Sequence, residues 1–209
     1  MQHKIHYLEL KEKLKDYIVF SQKQIKKIYP KFNIHNLKEW QKKKYIRKII
    51  KGYYIFSDVE ISESILFLIS NEIYKPSYLS FEMALSYYHL IPESVYSITA
   101  ATTKHTYKFE TEIGNFTYRK LRQSMMFGYK LIKHGKYSYK IAEAEKALID
   151  YFYAKPHLKE NEDFEELRID RTSFYEHVNV EKLNKYLKAI GSIVLSRRVR
   201  KFVRYIKNA

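Results

Sequence analysis

Residues 40–56, WQKKKYIRKIIKGYYIF, change their structural period partway along, and that change narrows the folds open to the chain. Up to Lys44 the apolar positions keep the spacing of a helix. From Tyr45 the composition turns β-branched and aromatic, and Lys51-Gly52 supplies a turn between two such stretches. A helix studded with Lys42, Lys43 and Lys44 is therefore expected to run directly into a two-stranded ribbon that carries Arg47, Lys48 and Lys51.

Upstream, Tyr7, Leu10, Leu14, Tyr17 and Ile18 recur at helical spacing. Ser21 with Gln24 three residues later has the form of a capping box, opening a short helix with Ile25 and Ile28 on one side and Pro30 at its end. Asn33 is expected to cap a third helix. Its inner face holds Leu37 and Trp40, with Lys44 beside them, and its outer face holds His35, Asn36, Lys38, Glu39, Lys42 and Lys43. Helix, short helix, turn, helix and two-stranded ribbon is the plan of a winged helix-turn-helix. On that plan the third helix enters a DNA major groove, lysines and helix N-termini position the phosphates, and Asn or Gln can read adenine edges. The candidate DNA-contacting residues are Ser21, Gln22 and Lys23 on the second helix, His35, Asn36, Lys38, Lys42 and Lys43 on the third, and Lys48 and Lys51 on the wing. Modules of this shape also serve as protein–protein adaptors, and a lysine run is often only a solvated face. An adaptor that does not bind DNA therefore stands beside the first reading.

Charge bears on the choice. The 209 residues carry a formal net charge of +16, and residues 1–58 hold 15 Lys and Arg against 5 Asp and Glu, a net of +10. Such a local excess attracts a polyanion, either nucleic acid or an anionic membrane surface. A hydrophobic fraction of 45% with only 5 Gly and 4 Pro excludes disorder as the whole answer. The chain has no cysteine, so disulfides, thiolate catalysis and Cys-based zinc sites are excluded. No apolar run approaches the roughly 18 residues of a membrane span and no leader is apparent, so the expected compartment is the cytoplasm.

After residue 58 the pattern becomes mixed. ISESILFLISNEIY reads as a helix capped by Ser62, and Ser80 opens another that runs to about Tyr88. Val95–Ala101, TYKFET and NFTYRKL read as strands, the last two joined at Gly114-Asn115. GYKLIKHGKYSYKIA reads as a hairpin turning at His134-Gly135, and AEAEKALIDYFYA as a helix with Ala144, Leu148, Ile149 and Phe152 toward a core. An acidic stretch, ENEDFEEL, then leads to a helix ended by Gly191. A final helix has an apolar side containing Ile193, Val194, Val199, Phe202 and Ile206, and a basic cluster of Arg197, Arg198, Arg200, Lys201 and Arg204. Arg197, Arg198 and Arg200 are added to the DNA-contacting candidates, with an acidic protein partner or a solvated helix end as the other readings. The expected fold class is α+β: a winged helix-turn-helix over residues 1–57, then a mixed α/β domain over 60–209 with antiparallel strands and a helical tail.

Segments of this second region carry a resemblance to a known family. YLSFEMALSYYHLIPESVYSITAATTKHT, FETEIGNFTYRKL and IAEAEKALIDYFY are similar to the AbiE-type antitoxins (the AbiEi family) of type IV toxin–antitoxin systems. The resemblance covers about residues 15–155. It is most specific at Ser80 to Leu85, Leu90-Ile91-Pro92-Glu93, Ile98-Thr99, Thr102-Thr103-Lys104 and Glu145-Lys146-Ala147-Leu148. His89 stands where that family commonly has Gly, and Glu143-Ala144 replaces a small-residue and Pro context. The resemblance implies an N-terminal winged helix, repression of the chain's own operon at operator DNA carrying inverted repeats, and neutralisation of a cognate nucleotidyltransferase-like toxin. It implies no catalytic residues and no cofactor.

The residues themselves point to no active site. His3-x-x-His6 lacks a third ligand. Glu143 and Glu145 would project about 200° apart on one helix, and helix N-terminal acids explain them. Glu9-Leu10-Lys11 is too short a nuclease-like pattern to weigh. Gly191-Ser192 lacks a downstream Asp-x-Asp for catalytic metal. No metal site is expected. A metal-dependent nucleic-acid-processing enzyme using the acidic helix is the rival reading.

Overall fold

The computed structural model describes residues 5–92 and 95–208, and the fold is α+β. The first sixty residues run α1 (Tyr7–Leu14), β1 (Val19–Ser21), α2 (Gln22–Ile28), α3 (His35–Lys42), β2 (Ile46–Ile50) and β3 (Tyr53–Phe56). The three strands form an antiparallel sheet in the order β1-β3-β2. The capping box opens α2 as expected, with the Ser21 hydroxyl accepting from the Gln24 N–H (3.2 Å) and the Gln24 side chain accepting from the Ser21 N–H (2.7 Å). Gly52 turns the β2–β3 hairpin at φ +85°, a backbone conformation that side chains disfavour.

Three local expectations are corrected here. The ribbon is joined by a third strand, β1, whose three residues are too short to show an alternating pattern. Ile34, not Asn33, occupies the N-cap of α3, while the Asn33 carboxamide accepts from the His35 N–H (3.0 Å) one turn-residue earlier. Finally, α3 stops at Lys42, and Lys44 takes a left-handed φ of +55°. Lys44 thus leaves the inner face of Leu37 and Trp40 and lies exposed.

The small sheet has a core on each side. Phe20, Ile46, Tyr54 and Phe56 face α1–α3 and pack with Leu10, Leu14, Ile25, Phe32, Leu37 and Trp40. The register places Val19 opposite Ile55 on the other face, and these residues, with Ile18 and Ile49, belong to the larger core of the chain. Strand alternation therefore sends successive residues to different cores. The expected division between residues 57 and 60 is crossed by this packing. A polar tie adds to it, since the Lys136 ammonium meets Asp16 Oδ1 at 2.6 Å and the Lys15 carbonyl at 3.0 Å.

The remainder comprises α4 (Glu63–Ile73), β4 (Ser77–Leu79), α5 (Phe81–Tyr87), β5 (Ser97–Thr102), β6 (Tyr107–Thr111), β7 (Gly114–Lys120), β8 (Tyr129–His134), β9 (Tyr137–Ala142), α6 (Ala144–Ala154), α7 (Asn161–Glu166), α8 (Arg171–His177), α9 (Val180–Ile190) and α10 (Ile193–Asn208). Six strands make one sheet in the order β6-β7-β5-β4-β9-β8. Its pairings are antiparallel except β5–β7 and β4–β9, which are parallel, so the sheet is mixed rather than antiparallel throughout. The β6–β7 turn falls at Glu112-Ile113, and Gly114 already pairs with Thr111.

Helix α4 packs on one face of this sheet, where the Tyr118 hydroxyl donates to the Ser70 carbonyl (2.7 Å) and Phe67 meets Tyr139 edge-on. Helix α6 packs on the other, where the Tyr78 and Ser80 hydroxyls each donate to Asp150 Oδ2 at 2.8 Å. Phe152, Phe164 and Phe202 then join α6, α7 and α10 in one aromatic cluster. On α10 the buried stripe is Leu195, Val199, Phe202, Val203 and Ile206. Ile193 and Val194, expected on it, are 78% and 68% exposed because the helix begins beyond the core. No described helix is long and apolar enough to cross a membrane.

Candidate nucleic-acid interface

Helix α3 is held by its buried face. Leu37 and Trp40 lie inside, and Tyr7 of α1 brackets the end of the helix by packing against Trp40 (5.9 Å between ring centroids) and Tyr45 (4.6 Å). With that side fixed, His35, Lys38, Glu39, Lys42 and Lys43 are all exposed, and Asn36 is half-buried. Lys42 lies 3.4 Å from Glu39, a solvent-exposed pair of little energetic consequence. Lys48 and Lys51 are exposed on the hairpin, and Lys48, with Lys44 and Arg47, lines a recess that also holds Glu110 and Glu112. Exposed lysines thus follow one another in sequence from α3 through Lys44 to the hairpin. Lys44 was missed by helical phase alone. Its signal is its place immediately past the helix end, where a left-handed residue closes α3 and carries a charge outward.

The second-helix candidates divide. Lys23 is exposed. Ser21 spends its hydroxyl on the capping box, and the Gln22 carboxamide donates to the Tyr54 hydroxyl at 3.1 Å, so both tie α2 to the sheet.

The C-terminal arginines also divide. Arg197 and Arg200 are exposed and, with Lys188 and Arg204, line an open groove of about 460 Å³ between α9 and α10. Arg200 Nε donates to Asn184 Oδ1 at 3.1 Å, which fixes the side chain along the groove. Arg198 departs from the expectation. It is buried, its guanidinium donates to the carbonyls of Lys155 (3.0 Å) and Leu158 (3.3 Å), and burial pulls its pKa down. It closes the α6–α7 loop onto α10 and presents nothing to a ligand. Lys201 is paired with Glu160.

The acidic groups of α6 are similarly consumed. Glu143 is the N-cap residue, so the 200° separation from Glu145 does not apply, and both carboxylates reach Lys182, at 3.0 and 3.5 Å. Burial alone would raise the Glu143 carboxyl, but the Tyr186 hydroxyl and the Lys182 ammonium together hold it below its usual value. Glu145 is buried and accepts from the Asn179 N–H (2.9 Å). Asp150 is buried with Lys146, Tyr78 and Ser80 around it. Glu9 accepts from the Tyr29 hydroxyl (2.9 Å), Lys11 pairs with Asp58 (2.7 Å), and Gly191 ends α9 in a left-handed turn. His3 lies outside the described residues, as does Glu93. Among the described residues no group of three His, Asp or Glu side chains could hold a metal ion. No protein-family model matches the chain, and no curated protein sequence is similar to it.

Proposed function

We propose that residues 7–56 act as a winged helix-turn-helix and that the chain is a DNA-binding repressor. The observation that carries this reading is the sidedness of α3. Its apolar residues are locked inward by α1 and the small sheet, and its outer face exposes His35, Lys38, Lys42 and Lys43, with Lys44, Lys48 and Lys51 exposed in the segment that follows. A helix of about 12 Å diameter bearing such a face suits a major groove, and a basic hairpin next to it suits the flanking backbone. The resemblance of residues 15–155 to AbiE-type antitoxins supports the fuller statement: a cytoplasmic antitoxin that represses its own operon at inverted repeats and neutralises a nucleotidyltransferase-like toxin through the region beyond residue 60. The burial of Glu145 and Asp150 in internal bonds weighs against a nuclease built on α6.

Fluorescence anisotropy with a labelled fragment of the chain's own promoter tests the reading. Binding should exceed that to an unrelated duplex and weaken steeply with salt. Equal, salt-insensitive affinity for both duplexes would leave the adaptor reading in place.

A further inference from the structure

Four non-glycine residues among those described take a positive φ: Lys44, Phe81, His89 and Arg168. Two of them open onto one recess. His89 follows the last turn of α5 at φ +54°, and Arg168 follows the last turn of α7 at φ +48°, each in the left-handed position that glycine occupies at least cost. The two helix ends are stitched together, because the Asp170 N–H donates to the Leu90 carbonyl at 2.9 Å. Their side chains and that of Arg171 line an open recess of about 810 Å³ that also presents the hydroxyls of Ser86 and Thr172 and the apolar Ile91 and Ile169.

Several cations elsewhere in the same region are paired. Arg119 lies on Glu82, Lys182 on Glu143 and Glu145, and Lys201 on Glu160. Among the described residues His89, Arg168 and Arg171 form no ion pair and are all exposed, a state that Arg197 and Arg200 of α10 share. Asp170, which also lines the recess, is engaged as the cap of α8, its carboxylate accepting from the Ser173 N–H at 2.7 Å. Two backbone positions thus carry large basic side chains where glycine would be less strained, and both, with Arg171, line one recess whose rim also holds the Asp170 carboxylate. Guanidinium forks are suited to phosphate oxygens, and a volume of several hundred cubic ångströms is that of a small-molecule site.

We propose that this recess binds a small phosphorylated ligand of nucleotide size, with Arg168, Arg171 and His89 on the phosphate and Ile91 and Ile169 beneath the remainder. The site is separate from α3 and the wing and does not rest on DNA binding. The test is calorimetric titration of the full-length chain at constant ionic strength with AMP, adenosine and inorganic phosphate, supported by melting curves. AMP should bind and raise the melting temperature, and adenosine should not. The pair His89→Gly with Arg168→Gly should lose AMP affinity at least tenfold, while the free protein melts no lower than the wild type because glycine relieves the left-handed strain. Arg171→Gln, at a position with no such strain, should also lose tenfold. Absence of AMP binding, or unchanged affinity in both variants, overturns the proposal. Inorganic phosphate binding as tightly as AMP would reject a nucleotide-sized occupant.

Discussion

Asp150 shows what a single side chain is asked to do in this fold. Its carboxylate is fully buried and takes hydrogen bonds from Tyr78, Ser80 and Lys146, and the Lys146 ammonium is fully buried beside it. Burial pushes Asp150 up and Lys146 down, and each partner's charge resists the shift of the other. Removing one member strands the other. Asp150→Ala should therefore cost about 3–5 kcal/mol in urea unfolding, whereas the double change Asp150→Leu with Lys146→Met should recover most of that loss. An equal loss in the single and double variants would show that packing, not the ion pair, governs the site. Glu143 makes a pH-dependent contribution. Its folded pKa lies below the ordinary 4.5, so its stabilisation is complete above that value and is lost as pH falls through the depressed one. Glu143→Gln should then lower stability by ~1 kcal/mol at pH 7, with the deficit closing at more acidic pH. A deficit that persists unchanged at pH 3 contradicts this assignment. Arg198 and Arg197 are neighbours with opposite expectations: Arg198→Ala should cost about 2–3 kcal/mol of stability, and Arg197→Gln no more than ~0.5.

Helix α3 and the wing form the element whose function is most open to measurement. Neutralising Lys42 and Lys43 together should weaken binding to all DNA sequences alike and flatten the log-affinity against log-salt slope by roughly 2. Asn36→Ala should instead relax preference at one base position, at about 1–3 kcal/mol. Unchanged binding in both variants would remove α3 from the interface. On α10, if the proposed antitoxin reading holds, Arg197→Gln with Arg200→Gln should lower operator affinity and its salt slope while toxin neutralisation survives, and the reverse pattern would give the groove to a protein partner. Elements with terminal chemistry are legible in the sequence: the Ser21–Gln24 box, the Ser62 cap of α4 and the Gly191 end of α9 all form in the structure. β1 and β4 were not legible. Each has three residues, too few for alternation, and each is set by partners distant in sequence, β1 by β3 and β4 by β5 and β9. Arg198 was misplaced although its spacing carried the answer. It lies three residues after Leu195 and four before Phe202, on the buried stripe of α10, but a run of adjacent basic residues masks that phase. The recess at His89 and Arg168 was invisible in sequence, because nothing local marks two helix ends as neighbours in space.

For the whole molecule, the small sheet decides how separable the parts are. A fragment of residues 1–58 would expose Ile18, Val19, Ile49 and Ile55, all buried against the larger core. Each such side chain is worth about 1.5–3 kcal/mol when fully buried, and a domain this small has little stability in reserve. The fragment should give no cooperative melting transition, whereas the full chain should give one. A sharp fragment transition at the temperature of the intact protein would show that the second face of the sheet contributes nothing. The same packing has a thermodynamic corollary. The β1-β3-β2 sheet is a party wall: α3 leans on one side and the large core on the other. If a partner on the core shifts that wall, it changes the affinity of α3 for its ligand, and reciprocity requires the α3 ligand to change the partner's affinity by the same factor. If the wall stays still, the two occupants are counted independently, so a titration of each in the presence and absence of the other measures how stiff three short strands are.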